Sequence, residues 1–309
     1  MQIQQIHIAG ATELGEGPHW DQRTQSLYYV DIIGKTIHKY TPATEKHSKA
    51  QLDENVSIII PKDGEPEKFI VTMNRKIVDI EWDGTSPNVK NIKILTEVDK
   101  ENSVNTNRIN DGKCDPKGRL WFGTMGGQQM NWQKATNSGS LFSMDSKCNV
   151  TKHVNNICLS NGLTWNADRT KFYYIDSMKF TIDEYDYDDE SGKIGNGRAI
   201  FTLSLNNIEG IADGMTIDTD GNLWVAIFKS FLVIQIDPRK PETLLRTVKI
   251  PAKLVTSVAW GGENLDELYV TSGKFTMDNV VLDAKEGHGG LFVIKGLGAR
   301  GLPMTDYKI

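Results

Sequence analysis

One phrase recurs along this chain: a residue carrying a side-chain oxygen, a glycine, a short apolar run, a polar turn, then an aromatic-rich run. Strong copies begin at Glu16-Gly17, Asp111-Gly112, Asn161-Gly162 and Asp213-Gly214, and each leads into a run such as 27–31, 120–123, 172–176 or 223–226. Weaker copies begin at Val56-Ser57 and Thr256-Ser257, ahead of 69–72 and 268–271. The phrases start near residues 17, 57, 112, 162, 214 and 257, a spacing of about 40 to 55 residues. That is the period of four-stranded propeller blades. Six copies predict an all-β, six-bladed β-propeller of four-stranded blades.

The segments between the phrases support this reading. Residues 35–40, 77–82, 139–144, 181–187, 231–236 and 290–294 are short, bounded by turn residues and rich in β-branched or aromatic side chains, as outer strands are. Nothing repeats apolar residues at i, i+3 and i+4 over the length of a helix. Residues 2–8 alternate polar and apolar ahead of the first phrase, so they read as a strand without a sheet. The natural partner is the segment around 290–295, and that pairing would close the ring and remove two exposed edges. One domain over 1–309 is expected. A sandwich or two stacked β domains would leave the period unexplained.

Composition removes several functions. A hydrophobic fraction of 39% with 24% charged residues is globular, and a net charge of -5 shows no basic surplus for nucleic acid. No run approaches the roughly 20 apolar residues that span a bilayer. The opening residues lack a basic n-region and an apolar h-region, so the expectation is a cytoplasmic protein without a membrane partner. Three cysteines without a CxxC pair argue against a disulfide framework and a thiolate zinc site; they read as small buried hydrophobes. The glycosylation triplets at Asn55 and Asn149 then read as chance.

In a propeller the first strand of each blade is innermost, so equivalent positions ring one mouth of the channel. The strong copies aim Glu16, Asp111 (with Asn110 beside it), Asn161 and Asp213 at that mouth. Carboxylates crowded there repel each other, and a divalent cation resolves the conflict. Oxygen donors without His or Cys favour Ca²⁺, Mg²⁺ or Mn²⁺. For any single copy, an Asp-Gly or Asn-Gly turn explains the residues equally well. Arg108 adds a fork of donors two residues before Asn110, on the same side of an extended strand. With a cation it would serve metal-assisted acyl chemistry on a small molecule; an ion pair with Asp115 is the competing role. No GxSxG, P-loop or HExxH motif is present. His19, beside the mouth, reads as a packing or backbone-bonding residue.

The stretches GEGPHW at 15–20, RINDGKCDPKGRLWFGTM at 108–125, SNGLTW at 160–165, FYYIDS at 172–177 and DGMTID at 213–218 together resemble the senescence marker protein (regucalcin), gluconolactonase and luciferin-regenerating enzyme family. VTSVAWGGENLDELYVTSG at 255–273 and TVKIP at 247–251 resemble its luciferin-regenerating branch in particular. The resemblance implies one divalent cation, Ca²⁺ foremost with Mg²⁺, Mn²⁺ or Zn²⁺ as alternatives. Glu16, Asn161 and Asp213 would be ligands, with Asn110 close to the ion and Asp213 as general base. Arg108, Asn110 and Asp111 would face the substrate. It implies a metal-dependent hydrolase of the lactonase type, or more narrowly an enzyme acting on oxyluciferin, in a monomer or weak dimer. A calcium-binding regulatory protein without turnover is the alternative. Sugar-lactone-hydrolysing members carry a glutamate just before a Gly-x-Leu-Tyr strand; residues 133–142 contain no acid, so the resemblance carries the metal site further than a sugar substrate. Residues 126–132 are expected to shape a pocket lid.

Overall fold

The protein, described by a computed structural model over residues 1–126, 136–276 and 287–308, is an all-β propeller. After β1 (Gln2–Gln5), the first antiparallel sheet comprises β2 (Gly15–Asp21), β3 (Ser26–Asp31), β4 (Thr36–Thr41) and β5 (Lys46–Gln51). The second comprises β6 (Ile59–Lys62), β7 (Glu65–Met73), β8 (Lys76–Glu81) and β9 (Lys90–Glu97). The third has β10 (Arg108–Cys114), β11 (Leu120–Met125), β12 (Gly139–Met144) and β13 (Val150–Ile157), and the fourth has β14 (Ser160–Trp165), β15 (Lys171–Asp176), β16 (Thr181–Asp188) and β17 (Lys193–Thr202). The remaining strands are β18 (Ile211–Ile217), β19 (Leu223–Phe228), β20 (Leu232–Ile236), β21 (Leu244–Lys249), β22 (Leu254–Gly261), β23 (Glu267–Gly273) and β24 (Phe292–Lys295). They join β1 in one eight-stranded sheet, in which β19 meets β22 through the single pair Phe228–Leu254.

The polar turn of the repeated phrase has a structural role. Asp21 accepts the Arg23 amide, Asp115 those of Lys117 and Arg119, Asn166 those of Thr170 and Lys171, and Asp218 that of Asn222. A short polar side chain that bonds the backbone ahead of it is what makes a tight turn. Asp115 and Asp218 also accept the indole N–H of Trp121 and Trp224, which ties the turn to the following strand. The aromatic runs are the second strands: β11, β15, β19 and β23 are almost wholly buried because a neighbouring sheet covers each face. Trp121, Trp165 and Phe172 pack between the third and fourth sheets, and Trp224 meets Trp260 edge-on at 5.4 Å. These aromatics are core.

Both ends of the chain are tied down. β1 pairs antiparallel with β24 in the register Ile3–Ile294, which supplies the expected closure. The tail beyond β24 then crosses several sheets. The Trp20 amide donates to Met304 Sδ, Asp306 meets His19 and Arg23, and Gly301 bridges Asp218. Tyr307 exchanges backbone hydrogen bonds with the second sheet at Pro61 and Asp63, while its hydroxyl donates to the Asp145 carbonyl. The weak copy at Val56-Ser57 lies just ahead of β6, where Ser57 Oγ donates to the Ile109 carbonyl and links the second and third sheets. Cys114 and Cys158 are buried, Cys148 is half-buried, and none forms a disulfide.

Tyr307 is 2% exposed, so Tyr307→Ala should cost about 3–5 kcal/mol of stability, read from denaturant titration. A second expectation concerns pH. His38 stacks on Tyr29 and shares a 3.0 Å contact with His47; burial pushes His38 down to about 3 and His47 down to about 4. The unfolded chain protonates these rings below about pH 6.5 while the fold resists it. Their contribution is therefore full above that pH and is lost on acidification toward 4. Compared with His38→Gln, the wild type should lose stability as pH falls across this window, which paired melts at stepped pH will check.

Candidate active site

The innermost strands carry β-bulges at one end. In β2, Glu16 pairs Val30 and His19 pairs Tyr28, so Gly17-Pro18 together face Tyr29. Asn110 is the extra residue of β10, Gly162 of β14 and Thr256 of β22, while Asp213-Gly214 face Ala226 from β18. A bulge breaks the strict alternation of side chains and re-aims one of them. Gly17 adopts φ +54°, open to glycine at little strain, and a Cβ on Gly162 would stand 2.6 Å from the Asp213 carbonyl. The bare backbone thus lets adjacent inner strands close up.

Glu16, Arg108, Asn110, Asn161 and Asp213 converge on one pocket enclosing about 480 Å³ of non-atom space, its mouth included. Leu14 and Ile32 wall it from the first sheet, Ile211 and Phe228 from the far side, with Met125, Leu159 and Phe275 between. Asp111 is not in this pocket. The bulge at Asn110 turns Asp111 away, into an adjoining cavity lined also by His19, Lys113 and Met304.

The floor is wired by hydrogen bonds. Arg108 Nη1 donates to Asn110 Oδ1 at 2.7 Å and to the Ile109 carbonyl. Asn110 Nδ2 donates to Asn161 Oδ1 at 2.9 Å and to the Ser160 carbonyl. Asn161 Nδ2 donates to Ser177 Oγ, whose own proton goes to the Ala212 carbonyl beside Asp213. Arg108 does not pair with Asp115, which is taken by Arg119 at 2.6 Å.

Burial dominates the electrostatics. Glu16 is pushed up to about 8, first by desolvation and then by the negative charge of Asp111. Asp213 rises well above the carboxylate range for the same first reason, reinforced by Glu16 and Asp111; burial raises Asp111 too. Arg108 falls to about 10 and Lys113 to about 8, because burial outweighs their acidic neighbours. Glu16 Oε2 accepts the Gly17 amide, whereas the Asp213 carboxylate accepts no hydrogen bond from a described residue.

An unbonded buried carboxylate beside a second one and an amide oxygen fits a hard divalent cation. Among the described residues no three His, Cys, Asp or Glu are placed to hold a metal; here the third oxygen would be the Asn161 amide. Sequence reasoning overlooked three features. Ser177 orients Asn161, and its signal was its place directly after the 172–176 strand. Lys113 donates to the Met215 carbonyl inside the channel. The apolar wall has no sequence signature, because its seven residues come from seven separate segments. His19 bonds the Asp306 carboxylate at 3.1 Å rather than backbone. Residues 127–132 of the expected lid, and 133–135 of the acid-free segment, lie outside the described residues.

A β-propeller with oxygen donors and an arginine gathered at the inner ends of its strands defines the class. Residues 14–274 match the SMP-30/Gluconolactonase/LRE-like region, and the chain belongs to that family. It is 36% identical to regucalcin of Gallus gallus over 291 residues, covering 94% of this chain and 93% of that one, and 34% identical to regucalcin of Danio rerio over 300 residues, covering 97% and 96%. A solved luciferin-regenerating enzyme superposes with a TM-score of 0.96 at 43% identity, covering 100% of this chain and 99% of that chain. No helix among the described residues is long and apolar enough to cross a membrane.

Without cation, Asp213→Asn removes a desolvated charge. In chelator it should therefore melt higher than the wild type, by about 1–3 kcal/mol or a few degrees, in a calorimetric scan at pH 7.5.

Proposed function

We propose that this chain is a metal-dependent hydrolase of the lactonase type. The observation that carries the reading is the meeting of Glu16, Asn161 and Asp213 in one pocket with Arg108 and Asn110, where the Asp213 carboxylate accepts no hydrogen bond from a described residue. Glu16, Asn161 and Asp213 would hold the cation, with Ca²⁺ the first candidate and Mg²⁺, Mn²⁺ or Zn²⁺ alternatives; when bound, it would polarise the acyl carbonyl. Asn110, held by Arg108, keeps its amide nitrogen on Asn161 and so fixes the Asn161 oxygen. Asp213 takes the proton of the attacking water as its oxygen adds to the acyl carbon. The ring C–O bond then breaks, and the departing oxygen takes back the proton held by Asp213 to give the hydroxy acid. Arg108, already deprived of water, offers its remaining N–H groups to the oxygen on which charge develops. Asp111, turned into the adjoining cavity, would act on the site through its charge rather than by touching substrate.

The high likeness to a luciferin-regenerating enzyme supports oxyluciferin as the narrower substrate reading. The regucalcin name of the curated relatives supports the second reading, a calcium-binding regulator without turnover. The single-pair junction Phe228–Leu254 supports counting the eight-stranded sheet as two blades, hence six in one domain over 1–309. We read the protein as cytoplasmic, and as a monomer or weak dimer with a small-molecule partner.

A panel of lactones and oxyluciferin, assayed with Ca²⁺, Mn²⁺ and Zn²⁺ and then with chelator, separates the two readings. Turnover that disappears with chelator is expected; binding of Ca²⁺ without turnover of any compound would favour the regulator. Asp213→Ala should abolish both activity and cation binding while the fold persists. Arg108→Ala should lower kcat/KM by about 10²-fold or more with cation affinity nearly kept.

A further inference from the structure

We propose that the pocket selects flat, apolar ring lactones and esters over polyhydroxylated ones, with Phe228 and Phe275 as the specificity-determining pair. This rests on the hydrolase reading above and adds its substrate class.

The argument starts from where the polar atoms are. Every polar side chain lining the pocket among the described residues belongs to its floor: Glu16, Arg108, Asn110, Asn161 and Asp213. Two of these, Asn110 and Asn161, already spend their amide groups on each other and on neighbours. The walls above them are wholly hydrocarbon or aromatic among the described residues. A ring carrying several hydroxyls would face Ile32, Ile211 and the two phenylalanines with its hydroxyls unpaired where it displaces water from them, which is unfavourable.

The pair itself is shaped for a flat ring. Phe228 and Phe275 are 4% and 6% exposed, and their rings lie 6.1 Å apart with an interplanar angle of 20°. Both are fixed by backbone. Phe228 ends β19 at the junction with Leu254, and the Lys274 and Phe275 amides both donate to the Glu13 carbonyl. Glu13 and Leu14 are in turn held by Asp31, whose carboxylate accepts both of their amides. The wall is therefore tied to the strand that carries Glu16, and an apolar ring laid on it presents its acyl group to the floor.

A wall that, among the described residues, offers no side-chain hydrogen-bond partner rejects an added hydroxyl by about 10²-fold. The test compares two δ-lactones with alkoxide leaving groups, the aromatic-fused 3-isochromanone and D-glucono-δ-lactone, on the full chain with Ca²⁺. Each rate is taken relative to the compound's own uncatalysed hydrolysis. We expect kcat/KM to favour 3-isochromanone by about 10²-fold or more. Phe275→Ser and Phe228→Ser should each reduce that preference about tenfold, chiefly through KM, and Phe275→Leu should retain most of it. Preference for the sugar lactone, or equal rates, would overturn the proposal and leave the hydrolase reading standing. If neither lactone is cleaved, binding of 2-tetralone, the uncleavable ketone analogue, decides the substrate class, and the hydrolase reading fails only if the remaining lactones and oxyluciferin are also inert with every cation of the panel. Binding that weakens in Phe275→Ser supports an apolar-ring site, and no binding overturns it.

Discussion

Glu16 and Asp213 share one buried pocket while Asp111 lies in the cavity beside it, and much of the inner architecture is arranged about these three acids. Carboxylates this desolvated raise one another's proton affinity, so the interior tolerates them only with counter-charge, protons or a cation. Arg108 answers on the pocket side and Lys113 on the channel side, each giving up some of its own basicity to burial. The two cations sit five residues apart on β10, one either side of the bulged Asn110 and the displaced Asp111. A single strand thus supplies the positive charge to both cavities. The Asn110–Asn161–Ser177 chain of hydrogen bonds adds rigidity across three sheets without adding charge.

Much of this was legible in the amino-acid sequence, for identifiable reasons. The repeated phrase works because each part has a structural cause: the turn Asp or Asn binds backbone amides, the aromatic run fills the space between sheets, and glycine lets inner strands close up. Pairing of residues 2–5 with 292–295 followed from alternation with no other partner in sight. What alternation could not show was the bulge. Counting by phrase puts Asp111 in register with Glu16, Asn161 and Asp213, whereas the extra residue in β10 falls at Asn110 and moves the facing position back by one. A bulge is one residue of surplus backbone, and no residue type marks it.

The apolar wall was illegible for a different reason. Leu14, Ile32, Ile211, Phe228 and Phe275 look like ordinary core or loop hydrophobes in their own segments, and only the ring geometry brings them together. His19 shows the same limit at longer range. Its partner, Asp306, is 287 residues away on a tail that no periodic pattern describes. Local physics predicts what a segment does for itself, while these residues act on segments far along the chain.

The pairing of β1 with β24 also sets the order in which the molecule can come together. Strands almost 290 residues apart must meet, and confining a loop of that length costs about 5 kcal/mol of chain entropy before any contact offsets it. Earlier sheets are local meanders and can form as they leave the ribosome, whereas the last one waits for residues 292–295 and then recruits a strand made at the outset. Glu16, on the first four-strand unit, and Asp213, four such units later, come within reach of each other only as that ring draws shut. A nascent chain therefore has turns, sheets and aromatic layers long before it has a site, and it acquires the capacity to bind in a single late event.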